Sequence, residues 1–244
     1  MTDFEIPSPV GNTVEGDASA DCPVPLAHER FSEAHWFMHQ MMTNYHTPLT
    51  FRFSANAFLS ALKSVVDMLR LDLERAGQNE WRRARFEALK GDSVFAAFSH
   101  GRNIVLHQGA LVQSSRVEVN LFKYNRRKLS FGWERKSDEP SANVLERVRA
   151  TNLLFPDDRR PEGEQYVVRR IYYEPKLSAD HDVLTASHIA WTVVGAFLRD
   201  AHNLLGFSFD DHDDEHSADH DVEHWWDYRE TDAYPEILQQ WGWA

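Results

Sequence analysis

The chain has 244 residues, 42% of them hydrophobic and 12% aromatic, and a net charge of −12. That length buries a sizeable apolar core without disulfides or metal, and the single cysteine, Cys22, excludes an intramolecular disulfide. The opening MTDFEIPSPVGNTVEGDASAD has neither the basic start nor the apolar centre of a secretory signal, and no apolar run is long enough to span a bilayer. A cytoplasmic location is expected.

The charge is unevenly placed. Residues 210–236 hold twelve acids and Arg229, a net of −11; set against −12 for the whole, this leaves −1 elsewhere. A near-neutral body with local Arg clusters remains compatible with nucleic-acid binding.

Residues 1–27 are expected to form a flexible arm, Pro-, Gly-, Asp- and Ser-rich to residue 24. Phe31, Ala34, Met38, Met41 and Tyr45 then step by three and four, the spacing of one helical face. Thr47-Pro48 breaks this run, and Phe58, Leu62, Val65, Leu69 and Leu73 mark a second helix that ends at Ala76-Gly77. A third region carries Arg82, Arg83 and Arg85. Gly91 interrupts it, and Asp92 fits the N-cap of a new helix that runs through His107, with Gly109 as its C-cap.

Alternation at Val117, Val119 and Leu121 predicts a strand, with 129–133 as hairpin partner and Tyr166–Tyr173 as a further strand. A last long helix is predicted over about Val183 to Leu205, with Ile189, Val193, Ala196, Phe197 and Leu204 inward and Gly206 at its end. The expected fold class is mainly α: an antiparallel helical bundle over 28–207 with a small β insertion at about 115–175, before the last long helix. Residues 208–244 form an acidic, His-rich and aromatic tail.

The sharpest motif is Arg102-Asn103-Ile104-Val105-Leu106-His107. Asn103 and His107 lie about 40° apart on an ideal helix, whereas Arg102 lies about 140° from His107, beside the apolar Phe98, Val105 and Leu106. An Arg followed directly by a polar residue and later by a His, near the end of a helix, resembles the HEPN family, as does the stretch FRFSANAFLSALKSVVDML at 51–69. The resemblance covers roughly 28–110 and 183–206. It implies a helical bundle, a homodimer and a metal-independent endoribonuclease, in the setting of a toxin or defence effector with a possible antitoxin or regulatory partner. Arg102, Asn103 and His107 would be its catalytic residues and RNA its substrate. Position 109, where some members carry Tyr, is Gly.

In that chemistry a neutral His107 takes the 2′-OH proton, a protonated His of the partner copy supplies the leaving 5′-oxygen, and Arg102 stabilises the phosphorane. Asn103 orients His107 or the phosphate. The same residues also fit a bland reading, with Arg102 as a buried ion-pair partner and His107 as a helix cap. A rival function is a non-catalytic interaction module acting through the aromatic tail.

Other clusters are less specific. His212, His216, His220 and His224 recur every fourth residue, a spacing that can chelate a metal on a helix but is common in solvated acidic stretches. No Cys-containing zinc motif is visible, so neither a metal nor a cofactor is expected. Arg82, Arg83 and Arg85, and Arg126, Arg127 and Lys128, could each meet phosphates or simply face water. Trp225, Trp226, Tyr228, Tyr234, Trp241 and Trp243 dock either on the body or on a partner.

Overall fold

The computed structural model describes residues 22–107, 115–133, 138–151, 161–207 and 223–243. Four helices come first: α1 (Pro25–Thr43), α2 (Pro48–Arg75), α3 (Asn79–Gly91) and α4 (Ser93–His107). Then follow β1 (Ser115–Lys123), β2 (Arg126–Trp133), α5 (Ser141–Ala150), β3 (Glu164–Tyr172) and α6 (Val183–Leu204). The tail contributes α7 (Glu223–Trp226), β4 (Asp227–Arg229), α8 (Glu230–Ala233) and α9 (Glu236–Gln240). The described chain is mainly helical, with one small antiparallel sheet in the order β2-β1-β3-β4.

Local chemistry accounts for several helix boundaries. Pro25 and Pro48 open α1 and α2, where a missing N–H costs nothing. Asp92 accepts from the Phe95 N–H at 2.9 Å and starts α4. Asp182 accepts from the Leu184 and Thr185 N–H groups and starts α6. Gly77 and Gly206 follow α2 and α6 with φ of 73° and 80°, conformations that a side chain resists.

α1 buries Phe31, Ala34, Met38 and Met41 against α2, whose stripe runs through Phe51, Phe58, Leu62, Val65, Leu69 and Leu73. α6 crosses α1 closely. The Phe31 ring stacks on Trp191 at 4.6 Å, and a Cβ on Gly195 would stand 3.0 Å from the Phe31 ring. The buried face of α6 is Ala186, Ala190, Trp191, Val194, Phe197, Leu198 and Ala201. Of the expected inward residues only Phe197 is fully buried; Ala196 is exposed. The small residues let α1 approach on a face that side-chain size alone does not mark.

A second, smaller core lies between the sheet and α5, built from Val117, Val119, Leu121, Val144, Leu145, Tyr166 and Val168. Helix α5 is an element that the sequence pattern did not announce. Strands are also not confined to 115–175: β4, from the tail, extends the sheet at Val167–Arg169. Its pairing rests on charge. Arg169 donates to Asp227 through Nε at 2.7 Å and Nη2 at 2.9 Å. Behind it Glu230, fully buried, accepts from the Tyr166 N–H at 2.9 Å and ion-pairs with Arg149 Nε at 3.1 Å. The tail aromatics dock on the chain itself: Trp225 and Trp226 against the helical core, Tyr228 and Tyr234 against the sheet core, and Trp243 on Tyr124 at 5.6 Å. The histidines 212, 216 and 220, and Gly109, lie outside the described residues.

A polar cluster joins the two cores. Arg170 on β3 is completely buried and donates to Ser141 Oγ at 3.1 Å, to Ser115 Oγ at 2.5 Å and to the Glu139 carbonyl. His46, in the α1–α2 loop, lies 3.0 Å from Ser141 Oγ through Nδ1, and its carbonyl accepts from the Ser141 N–H at 3.0 Å. The Tyr172 hydroxyl donates to the Tyr45 carbonyl at 2.9 Å. Burial, helped by the Arg170 charge and opposed by the Trp225 backbone and Asp227, pushes the His46 imidazole from 6.5 down to about 4.

Two outcomes are expected. Glu230→Ala leaves the Tyr166 N–H and Arg149 without their acceptor, and should cost about 2–3 kcal/mol in urea unfolding, reduced from a fully buried pair because Arg149 is partly solvated. For His46 the folded state refuses a proton that the unfolded chain takes. Stability is therefore full above pH 6.5 and falls as the pH drops towards 4, by about 3 kcal/mol from this group. Unfolding measured at several pH values should show that loss in the wild type and a flatter profile in His46→Gln; parallel profiles would refute the assignment.

Candidate functional site

Helices α2, α3 and α4 enclose a cleft of about 620 Å³. Its walls carry Lys63, Arg70, Arg82, Arg83 and Lys90 against only Asp67 and Glu87. Lys63 pairs with Asp67 at 2.7 Å and Lys90 with Glu87 at 2.6 Å, which leaves the three arginines as surplus positive charge. Arg82 donates through Nη2 to Asn79 Oδ1 at 3.2 Å, while its buried Nε has no partner among the described residues. Ser99 Oγ, also on the wall, is buried and unpaired. Leu89 and Phe95 form an apolar floor, and Phe86 is half-buried at the side, its ring edge-on to Phe197 at 5.1 Å. Arg85, by contrast, pairs with Asp200 on α6.

This arrangement suits a phosphate-bearing ligand with a flat apolar group. Arginines offer planar forks of donors to phosphate, and an aromatic face gives a base something to stack on. The sequence shows Arg82 and Arg83, but not that α2 would bring Lys63 and Arg70 opposite them.

The expected catalytic residues lie on α4, beyond Ser99, and none of them lines this cleft. On an ideal helix Ala96, Ser99, Asn103 and His107 lie within about 80° of one another around α4, but only Ala96 and Ser99 line the cleft. Both are exposed. Arg102 is half-buried, one turn from Ser99; its Nη1 is 3.5 Å from Asn103 Oδ1 and its Nε is buried without a partner. The buried face of α4 is Phe95, Phe98, Gly101 and Ile104, not the Phe98, Val105 and Leu106 stripe expected, and Leu106 is half exposed. No ion pair forms at Arg102 among the described residues. The structure therefore brings Arg102 near Asn103 but shows no contact between Arg102 and His107.

A second cluster was invisible in the sequence. Cys22, His28 and His202 place one sulfur and two nitrogens within 4.8 Å of one another. Cys22 precedes α1, His28 sits in its first turns, and His202 is in the last turn of α6. Burial raises the Cys22 thiol and lowers the His202 imidazole from their ordinary values. Asp72 on α2 accepts from the Ala27 N–H at 3.1 Å and so holds the start of α1, which lacks a side-chain cap of its own. Cys22 and His202 are 180 residues apart, and no spacing rule links them.

Among the described residues no helix is long and apolar enough to cross a membrane. No curated protein and no solved structure matches the chain. One family does: residues 16–225 match the family described as Bacteriophage lambda protein ea47. That match overturns the HEPN resemblance, for which no family match exists. The resemblance rested on a six-residue helix end and an amphipathic helix, patterns that helical packing produces without common descent. The match spans most of the sequence, and the chain belongs to the bacteriophage lambda protein ea47 family.

Proposed function

We propose that this protein binds single-stranded RNA through phosphate contacts in the α2–α3–α4 cleft. The observation that carries this reading is the surplus of three arginines, Arg70, Arg82 and Arg83, around an apolar floor in a chain of net charge −12. Unpaired cations concentrated in one concave site, on a body that is otherwise near neutral, favour a polyanion there. The narrow space between helices suits an unstacked strand better than a duplex, with Phe86 available to one base.

Cleavage of the bound strand is a second reading, supported by the presence of Asn103 and His107 on the same helix as the cleft residue Ser99, one and two turns further along. A strand seated on the arginines would pass His107, which could accept a 2′-OH proton; Arg102, in the adjoining turn, would meet the phosphate. The second proton-transfer group would have to come from another copy, since one motif supplies one imidazole.

Anisotropy with a labelled single-stranded RNA should show binding that weakens with salt, with a log–log slope of about −2 for three phosphate contacts on a single strand. Arg82→Ala and Arg83→Ala should each weaken binding and reduce the slope by about 0.7, whereas Arg85→Ala, already paired with Asp200, should change little. Equal affinity in the Arg82/Arg83 double variant would exclude the cleft. The same mixtures, run on a denaturing gel in chelator, test cleavage separately. Products ending in a 2′,3′-cyclic phosphate and lost in His107→Ala, by about 100-fold or more, would support it; intact RNA would remove the second reading and leave the first.

A further inference from the structure

Where the start of α1 meets the end of α6, the only cysteine of the chain lies between two imidazoles. Cys22 Sγ is 3.6 Å from His28 Nδ1 and 3.4 Å from His202 Nε2. A thiol has one proton to share, so it can satisfy at most one imidazole lone pair. His202 has its orientation set from behind: Nδ1 is 3.0 Å from the Leu198 carbonyl and can only donate to it, which leaves Nε2 as a bare acceptor facing the sulfur. His28 presents Nδ1 and can carry its proton on Nε2. With that tautomer both imidazoles turn a nitrogen lone pair toward the sulfur, and the three side chains can act together as ligands to one cation.

The dimensions agree. A tetrahedral ion with bonds of about 2.3 Å to sulfur and 2.0–2.1 Å to nitrogen holds those ligands about 3.6 Å apart. Both sulfur–nitrogen distances lie within a few tenths of an ångström of that value. The scaffold is stiff: His202 is buried in α6, and Asp72 fixes the start of α1 from a third helix. One sulfur with two imidazoles is a donor set of zinc and its neighbours, not of magnesium or calcium, which take oxygen.

We propose that Cys22, His28 and His202 bind one Zn²⁺ ion, with a water in the fourth coordination position. On binding, the Cys22 sulfur loses its proton to solvent as the metal–sulfur bond forms. The ion would tie the segment before α1 to the end of α6. This inference is independent of the RNA reading.

Cobalt(II) tests it, because the chain offers one cysteine. Metal-free full-length protein titrated with Co²⁺ should develop a sulfur-to-cobalt charge-transfer band and tetrahedral d–d bands that saturate at one equivalent, and Zn²⁺ should bleach them. The tail histidines can hold Co²⁺ but cannot produce the sulfur band. Cys22→Ser should abolish that band. His202→Gln and His28→Gln should each weaken binding by more than about 100-fold, beyond what loss of an outer-shell partner costs. Circular dichroism identifies a variant that fails to fold, and His28→Gln, at a half-buried site, keeps the test open if His202→Gln does. No sulfur band at one equivalent in the wild type overturns the proposal. So does a band that survives both histidine substitutions, which would mark a lone thiol adduct.

Discussion

The buried guanidinium of Arg170 is the interaction on which the rest of the architecture depends. It projects from β3 into the seam between the helical core and the sheet core, where water cannot reach it. A charge in that position must find oxygen on every side, and it does so from separate elements: Ser115 on β1, Ser141 at the start of α5 and the Glu139 carbonyl before it. Ser141 then passes the constraint to His46, and Tyr172, two residues along β3, reaches the Tyr45 carbonyl. The α1–α2 loop, the sheet and α5 therefore share one set of hydrogen bonds. Such a cluster is a poor source of net stability, because desolvating the charge offsets most of the attraction. Its effect is positional: few relative placements of helices and sheet satisfy Arg170.

The cleft has a charge pattern of its own. Acids are plentiful in this chain, yet the three helices lining the cleft spend only Asp67 and Glu87 on it, each matched to a lysine. Arg85, one position beyond Ala84 on α3, points instead to Asp200 and ties α3 to α6. Neighbouring arginines on one short helix thus divide into a structural anchor and charges left facing the cleft. Helical periodicity makes the division: Arg82 and Arg85 fall on adjoining faces, and only one of those faces meets an acid of α6.

Much of the helical framework was legible in the sequence. The α2 stripe from Phe58 to Leu73, the Asp92 cap, the helix stops at Gly77 and Gly206 and the strand at Val117–Leu121 are local signals, and each is realised. What was illegible depended on partners distant in the chain. On α6 the expected Phe197 is buried and Val193 and Leu204 pack against the core, but Ala196 faces outward and the small residues Ala186, Ala190 and Gly195 take the inner face, because Gly195 fits Phe31 only once both are placed. β4 is a three-residue strand in an acidic tail, with no alternation to mark it; its pairing depends on Arg169 and Asp227 meeting. The candidate site divided likewise. Arg82 and Arg83 could be named individually, but the cleft that sets them opposite Lys63 and Arg70 and the meeting of Cys22 with His202 are tertiary facts. The HEPN resemblance failed for the same reason, since a short helical motif carries residue types without their surroundings.

The close seating of Phe31 on Trp191 and Gly195 has a consequence for the newly made chain. The first four helices, α1 and α2 among them, are complete once residue 107 has been made, but the cover of α1 and α2, α6, is complete only at residue 204. At ribosomal speeds of about 5–20 residues per second, that interval lasts roughly 5–20 s. Throughout it Phe31 and its neighbours lack their native cover while the sheet segment is still being added. A chain stopped before Val183 stays in that condition permanently, with a sticky helical face and nothing of its own to close it.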